Sequence, residues 1–281
     1  MRRLNSIIFV CLILVACGPS DEQKAQKFLE AAKLSYQEGN YTRAKTELDS
    51  IKIKYPKAFD TRKAGIRFML EVEQAEQERG LKYLDSLEIA KQEEFQTLQK
   101  DYLLEKNKEY QEIGYYIIPQ QKLEQNLNRS YLRFQVNEKG IMSVTATYAG
   151  KKGINLQTVK IAAPDSSFVE TPISDNNFVS QNLGIVSEKS DFKRGKDGDL
   201  IPFILMHHDK DLKVSYLGDW TYQFKLSAVE KKAAIEIDKL AKVLYTLTEI
   251  QKAKEEALLK LSFIASRKQK NDSIDHPEQN N

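Results

Sequence analysis

The segment YLRFQVNEKGIMSVTATY, residues 131–148, decides how the middle of the chain folds. Apolar and polar side chains alternate along YLRFQV and again along IMSVTATY, which is the pattern of strands with one buried face. NEKG at 137–140 separates the two runs and has the composition of a hairpin loop. The segment therefore predicts two adjacent antiparallel strands.

Segments of similar character follow this hairpin. They are LQTVKI (156–161), NLGIVS (182–187), LIPFILM (200–206), LKVSY (212–216) and WTYQFKL (220–226). AGKKG at 149–153 is predicted to be a second hairpin loop. About seven or eight short strands are enough for a sandwich or a small barrel. We therefore expect an antiparallel β-sandwich or barrel domain over residues 113–226.

Long helical patterns flank this domain. Residues 61–112 are predicted to form one long helix and residues 227–268 a second one. In the second helix, a seam of mostly apolar residues recurs at alternating steps of three and four. The series is Ile237, Leu240, Leu244, Leu247, Gln251, Lys254, Leu258, Leu261 and Ala265. Such a seam is what coiled-coil packing requires.

The two long helices carry opposite charges. Residues 71–112 have a net charge of −6 and residues 225–270 a net charge of +5. We expect the helices to pair antiparallel as a coiled-coil-like stalk, with the β-domain inserted between them. Two alternatives stay open. Each helix packs separately on the body, or the C-terminal helix forms a homodimer whose register is set by Gln251 and Lys254.

Residues 28–56, FLEAAKLSYQEGNYTRAKTELDSIKIKYP, have the pattern of a helical hairpin. Small Ala32 and Ala44 permit close helix packing, Gly39 suits a turn, and Pro56 ends the second helix. The stretch resembles a tetratricopeptide repeat. The residues at that family's packing positions are Phe28, Ala32, Tyr36, Gly39, Tyr41, Ala44, Leu48 and Pro56.

The pattern does not repeat. One repeat length of about 34 residues further on, Glu73 and Gln74 stand where a second turn would be needed. The expected fold class is thus α+β, beginning with a single tetratricopeptide-like hairpin over residues 25–60. Such a hairpin serves either as a docking module or as a helical cap.

The beginning of the chain has the features of a secretory signal. Arg2 and Arg3 precede an uncharged apolar run at residues 7–15, which is too short for a transmembrane helix. LVAC at 14–17 closes the run and resembles the lipobox of bacterial lipoproteins. The alternative is an ordinary cleaved signal with an incidental cysteine.

The resemblance implies cleavage after residue 16 and lipidation of Cys17, followed by a short tether over residues 17–24. The acyl chains would anchor the protein to a lipid bilayer. The expected location is the cell envelope of a Gram-negative bacterium, at the outer membrane, on its periplasmic face or at the cell surface.

Cysteine content and net charge limit the function. Cys11 and Cys17 are the only cysteines, so a cleaved and lipidated chain forms no disulfide. Without residues 1–16 the formal net charge falls from +3 to +1. This near-neutral balance gives no reason to expect nucleic acid as a partner.

Three residues are candidate metal ligands: His207, His208 and Asp209, in MHHDKD at 206–211. Adjacent histidines in a strand point to opposite faces, and no further ligand stands at a suitable spacing. A polar turn explains these residues, so we expect no metal and no cofactor.

Two other segments are candidates for recognition. KRGKDGD at 193–199 places Lys193 and Arg194 on an exposed loop, where they are candidate partner-binding residues. Trp220, Tyr222 and Phe224 share one face of a predicted strand. That face either belongs to the core or forms a platform for a glycan.

The functional expectation combines these features. The sequence contains no nucleophile motif such as GxSxG, and we expect no enzymatic activity. The chain is expected to be a membrane-anchored interaction or scaffold protein for an unidentified envelope partner. Its docking surfaces would be the hairpin around Tyr36 and Tyr41 and the exposed loops of the β-domain. The alternative is a glycan-binding or surface-recognition lipoprotein. Residues 269–281 are expected to be a disordered tail.

Overall fold

The structure is a computed structural model that describes residues 20–275. The expected signal peptide (1–16), the lipidation site Cys17 and the last six residues of the expected tail lie outside the described residues. No helix within the described range is long and apolar enough to cross a membrane.

The fold is α+β, as predicted, with helices and two antiparallel sheets. The helices are α1 (Asp21–Gln37), α2 (Tyr41–Lys54), α3 (Phe59–Leu98), α4 (Leu200–Met206) and α5 (Ala228–Asp275). The strands are β1 (Leu103–Glu105), β2 (Tyr115–Ile117), β3 (Tyr131–Asn137), β4 (Met142–Gly150), β5 (Thr158–Ala162), β6 (Phe168–Glu170), β7 (Asn177–Asn182), β8 (Ile185–Lys193), β9 (Lys213–Leu217) and β10 (Thr221–Lys225).

The chain divides into two compact units. The described part of the first, the helical unit, comprises residues 20–82 and 255–275. The second, the sheet unit, comprises Tyr83–Lys254. Helices α3 and α5 contribute residues to both units.

The helical unit begins with a well-capped hairpin. A capping box between Ser20 and Gln23 starts α1. The residues expected to be the last part of the tether, 21–24, are therefore helical. The hairpin turns at Gly39, whose φ of +73° suits glycine, and the Asn40 side chain accepts the Arg43 N–H to start α2. The core residues of the unit are Ala25, Leu29, Ala32, Ala44, Leu48, Ile51, Ala58 and Val72.

Helix α3 ends earlier than predicted. It stops at Leu98 rather than at residue 112, and a short 3-10 turn, Gln99–Asp101, leads from it to β1. The reason is a long-range contact. The buried Tyr102 hydroxyl donates to the Glu236 carbonyl oxygen at 2.9 Å, and burial, then Glu236, raise the pKa of Tyr102. Helix α5 in turn continues to Asp275, so the first seven residues of the expected disordered tail are helical.

Helices α3 and α5 pair antiparallel within the sheet unit. Lys254 Nζ lies 2.6 Å from a carboxylate oxygen of each of Asp85 and Glu88. Further along, Tyr102 reaches Glu236, so the residue numbers of the two partners run in opposite directions. Lys254, a polar interruption of the predicted seam, is therefore an ion-pair partner of α3. These two carboxylates raise its pKa.

The first part of the seam on α5 has a different partner from the one predicted. Ile237, Leu240 and Leu244 belong to the same hydrophobic core as the strands. Further along the seam, Leu258 is exposed.

The sheet unit contains two sheets around that shared core. The larger sheet has the order β1-β2-β3-β4-β8-β7 and the smaller the order β10-β9-β5-β6, with every neighbouring pair antiparallel. The NEKG hairpin between β3 and β4 is present as predicted. Core residues from the two sheets include Leu132, Phe134, Val144, Val159, Val214 and Tyr216.

Three local predictions were wrong. NLGIVS at 182–187 is not one strand, because it contains the turn between β7 and β8, with Leu183 and Gly184 at positive φ. LIPFILM forms helix α4 rather than a strand, because the fully buried Asp197 carboxylate accepts the Ile201 N–H at 2.8 Å. An unbroken apolar run does not distinguish a buried strand from a buried helix. AGKKG at 149–153 is not a hairpin loop: it leads from β4 in one sheet to β5 in the other.

A buried carboxylate stabilises this crossover between the sheets. Glu188 on β8 is 4% exposed, and its carboxylate accepts the N–H groups of Ile154 and Leu156 at 2.6 Å and of Asn155 at 3.2 Å. A side chain at Gly153 would place its Cβ 2.8 Å from a Glu188 oxygen. Burial and the Glu188 charge raise the pKa of Tyr148 nearby.

We predict that Glu188→Gln destabilises the sheet unit by roughly 2–3 kcal/mol, because the amide nitrogen cannot accept the N–H groups that the carboxylate accepts. Urea unfolding followed by Trp220 fluorescence measures this, since Trp220 is the only tryptophan and donates to the Gly153 carbonyl oxygen beside the crossover. Glu112→Gln at an exposed position is the matched control. Equal midpoints for the two variants would contradict the assignment.

Candidate functional site

The two tyrosines predicted to form a docking surface pack within the helical unit. The Tyr36 ring lies 5.8 Å from the Tyr41 ring and 5.4 Å from the Phe68 ring, measured between centroids. Arg79 stacks 4.4 Å from the Tyr41 centroid and donates to the Gly39 carbonyl oxygen. Tyr41 therefore helps to join the hairpin to α3. Tyr36 has a second environment, because it also lines a groove.

This α1/α3 groove has a volume of about 510 Å³. Its lining residues are Leu29, Lys33, Tyr36, Gln37, Ala64, Arg67, Phe68 and Glu71. Aromatic and aliphatic side chains are thus combined with charged ones in a single concavity. Apolar side chains flanked by polar groups are the usual composition of a surface that receives a partner's side chain.

A second groove of about 370 Å³ lies between α2, α3 and the end of α5. Phe263 in its wall is 58% exposed, and its ring centroid lies 5.1 Å from Cζ of the Arg267 guanidinium. Arg62 also lines this groove, and its buried Nε has no hydrogen-bond partner among residues 20–275. The helical unit therefore presents two concave surfaces with accessible apolar side chains.

Of the two basic residues predicted to bind a partner, Arg194 has a structural contact. Its Nη1 lies 2.5 Å from Asp238 Oδ1 on α5, and its N–H donates to the Met142 carbonyl oxygen. Asp238 is 7% exposed and also contacts Lys242 at 2.7 Å. Lys193 and Arg194 are both exposed, but Lys193 forms no ion pair with a residue in the range 20–275. The two residues that were predicted to bind a partner together therefore differ in the structure, because only Arg194 forms an ion pair.

The candidate metal ligands do not form a cluster. His207 packs against the Phe203 ring at 4.5 Å, and His208 Nδ1 lies 2.8 Å from the Leu205 carbonyl oxygen at the end of α4. No group of three or more His, Cys, Asp or Glu side chains in the described range could hold a metal ion. His207, His208 and Asp209 belong to the turn that follows α4.

Trp220 and the two aromatic residues of β10 do not form an open platform. Tyr222 and Phe224 pack against the hydrophobic core, and Trp220, 37% exposed, meets Tyr148 edge to face. Of the two interpretations of this aromatic face, a part of the core and a platform for a glycan, packing against the core accounts for its residues.

The sequence reading missed a polar cavity on the outer face of the larger sheet. Strand register places two rows of side chains side by side, Tyr131–Thr147–Lys189–Phe178 and Arg133–Thr145–Asp191. The cavity has a volume of about 210 Å³. Its lining residues are Tyr131, Arg133, Gln135, Thr145, Thr147, Asn176, Phe178, Lys189 and Asp191. The alternation of β3 and β4 identified this face, but only as the solvent side.

Two buried polar groups in this cavity have no hydrogen-bond partner within the described chain: the Tyr131 hydroxyl and Arg133 Nε. Tyr131 is 1% exposed, and burial raises its pKa. An unpaired buried polar group costs about 1–3 kcal/mol. Asp191, Thr145 and Asn176 in the same cavity are paired, since Asp191 accepts hydrogen bonds from Thr145 and from Asn176. The two unpaired groups therefore lie beside a paired carboxylate.

Comparison with known proteins identified no relative of this chain. No protein-family profile, no curated protein and no solved structure matches the chain.

The contrast between Lys193 and Arg194 gives a direct test. We predict that Arg194→Ala lowers the stability of the sheet unit by about 1–2 kcal/mol, because Asp238 then keeps only its contact with the exposed Lys242. Lys193→Ala should change stability by less than about 0.5 kcal/mol. Urea unfolding of both variants measures the difference, and equal losses would show that the Arg194–Asp238 pair has no special role.

Proposed function

We propose that the chain is a lipid-anchored lipoprotein of the cell envelope that binds another envelope protein through its helical unit, without catalysing a reaction. The α1/α3 groove is the observation that carries this proposal. Its residues Tyr36 and Phe68 supply the aromatic surface that protein interfaces favour, and Lys33 and Glu71 add charges of both signs.

The expected occupant of the groove is a peptide segment of the partner that inserts an apolar side chain. A groove between helices receives such segments by burying alternate or helically spaced side chains. Ala64 supports this proposal because its small, exposed side chain leaves the α3 wall open. The aromatic contacts of Tyr36 with Tyr41 and Phe68 hold the opposite wall in place before a partner binds, which reduces the entropy lost on binding.

The lipid anchor rests on LVAC at 14–17 and its flanks. A lipid on Cys17 would place the helical unit near the membrane, since α1 starts at Asp21, only four residues further along the chain. The anchor would also raise the effective concentration of the protein for partners in the same membrane. The outer membrane of a Gram-negative cell is the proposed location.

We predict that Cys17→Ala moves the protein from the membrane fraction to the soluble fraction, because acyl chains attached at Cys17 supply the membrane affinity. The measurement is fractionation of cells that express the tagged full chain, together with incorporation of labelled fatty acid. Cys11→Ala is the matched control, since Cys11 lies in the segment expected to be removed. If Cys17→Ala still incorporates labelled fatty acid, the proposal that Cys17 is the lipidated residue is wrong.

For the groove, we predict that Ala64→Arg lowers recovery of the crosslinked partner about tenfold or more, because the long side chain fills the groove. The measurement is in-cell crosslinking followed by mass spectrometry of the tagged full chain. Ala265→Arg makes the same change at an exposed helical position of the same unit, outside both grooves. We expect it to behave as the wild type.

The docking proposal expects one envelope protein at near-equal abundance with the wild-type chain. Loss of that protein in Ala64→Arg but not in Ala265→Arg would support the groove as its site. An equal recovery with both variants would show that the partner binds elsewhere. No enriched partner at normal expression would contradict the interaction function itself.

A further inference from the structure

We propose that the polar cavity on the outer face of the six-stranded sheet binds the carboxylate group of a small ligand. This site lies in the sheet unit and is independent of the groove proposed to bind a protein. A negative result here would therefore leave the docking proposal unchanged.

The first argument is the pair of unsatisfied groups. Tyr131 and Arg133 are two residues apart on β3, so their side chains lie on the same face. The Tyr131 hydroxyl is protonated at neutral pH, as that of any tyrosine is, and burial raises its pKa further, so it can donate a hydrogen bond. Arg133 uses Nη2 to contact Glu105 at 2.5 Å, which leaves its Nε–H without an acceptor among residues 20–275. A carboxylate has two acceptor oxygens and can receive both donors.

The second argument is charge. Among the lining residues, Arg133 and Lys189 are cationic and Asp191 is the only acid, and the Arg133 charge is already paired with Glu105 outside the lining. Lys189 forms no ion pair within the described part of the chain and stands in the same row as Tyr131. Asp191 already accepts two hydrogen bonds, from Thr145 and Asn176. A ligand with one negative charge suits this set, whereas Asp191 opposes the second charge of a phosphate ester.

The third argument is size and shape. At about 210 Å³, the cavity is smaller than the roughly 300 Å³ at which sites for drug-sized ligands begin. Phe178 on β7 is the last residue of the row that contains Tyr131, Thr147 and Lys189, and 59% of its surface is exposed. The cavity therefore suits a small carboxylate with an apolar or aromatic group next to it. Benzoate is the simplest probe with these features.

The experiment is ligand-observed NMR on the full chain with benzoate, benzyl alcohol and phenyl phosphate. We expect benzoate to bind about tenfold or more tightly than either of the other two, because only benzoate combines the acceptor pair with a single charge. If benzoate binds no more tightly than benzyl alcohol, the cavity holds solvent only. If phenyl phosphate binds as well as benzoate, the carboxylate assignment is wrong.

Two variants locate the binding in the cavity. Tyr131→Phe deletes only the unpaired hydroxyl, and Lys189→Met deletes only the cation. Each should weaken benzoate binding about tenfold. Lys151→Met in an exposed loop is the matched control and should bind as the wild type.

Thermal unfolding separates lost binding from lost structure. Removing an unpaired buried hydroxyl does not remove a hydrogen bond, so Tyr131→Phe should melt at or above the wild-type temperature while it binds benzoate more weakly. Wild-type affinity in both Tyr131→Phe and Lys189→Met would overturn the proposal.

A final comparison identifies the source of the carboxylate. A tetrapeptide ending in phenylalanine is tested with a free and with an amidated C-terminus, beside N-acetyl-phenylalanine. Tighter binding of the free-acid peptide assigns the cavity to the C-terminus of a polypeptide, and tighter binding of N-acetyl-phenylalanine assigns it to a small molecule. Both results support carboxylate recognition. Equal binding of the amidated and free peptides contradicts it.

Discussion

The Glu188 carboxylate is the interaction on which the arrangement of the sheet unit depends. Between β4 and β5 the chain leaves one sheet and enters the other, and the N–H groups of residues 154–156 lie outside both ladders. Glu188 accepts three of them from inside the core. Buried backbone donors must find acceptors, so the crossover depends on this one side chain. With it in place, both sheets can cover the same apolar residues from β3, β4, β5 and β9.

Other buried acidic groups have the same role elsewhere in the unit. Glu230 near the start of α5 accepts the Leu132 N–H of β3, and Asp197 accepts the N–H of Ile201 in α4. Asp238 joins α5 to the loop after β8 through Arg194. Glu230 and Asp238 connect α5 to a strand or loop distant in sequence, and Asp197 holds the start of α4 to the loop just before it. Buried carboxylates are often considered as catalytic candidates, but these ones are hydrogen-bonded or ion-paired to other elements of the fold.

Features that depend on neighbouring residues were predicted correctly from the sequence, whereas features that depend on contacts between distant residues were not. The β3–β4 hairpin was predictable because alternation and the NEKG turn are local. The end of α3 was not, because the contact between Tyr102 and Glu236 joins residues 134 positions apart. Helix α4 was misread because an apolar run has no period that separates strand from helix. The cavity was missed because the period of a strand identifies a face but not the groups left unpaired on it.

The two kinds of buried polar group in the sheet unit require different explanations. Glu188 and Glu230 have their oxygens engaged, so burying them stabilises particular connections. The Tyr131 hydroxyl and Arg133 Nε are buried without partners in the described chain, and this lowers stability. A phenylalanine in place of Tyr131 would keep the ring and remove the unpaired hydroxyl. Packing therefore gives no reason for a hydroxyl there. The proposed ligand would supply an acceptor for this hydroxyl and a negative charge for the neighbouring Lys189, which forms no ion pair among residues 20–275.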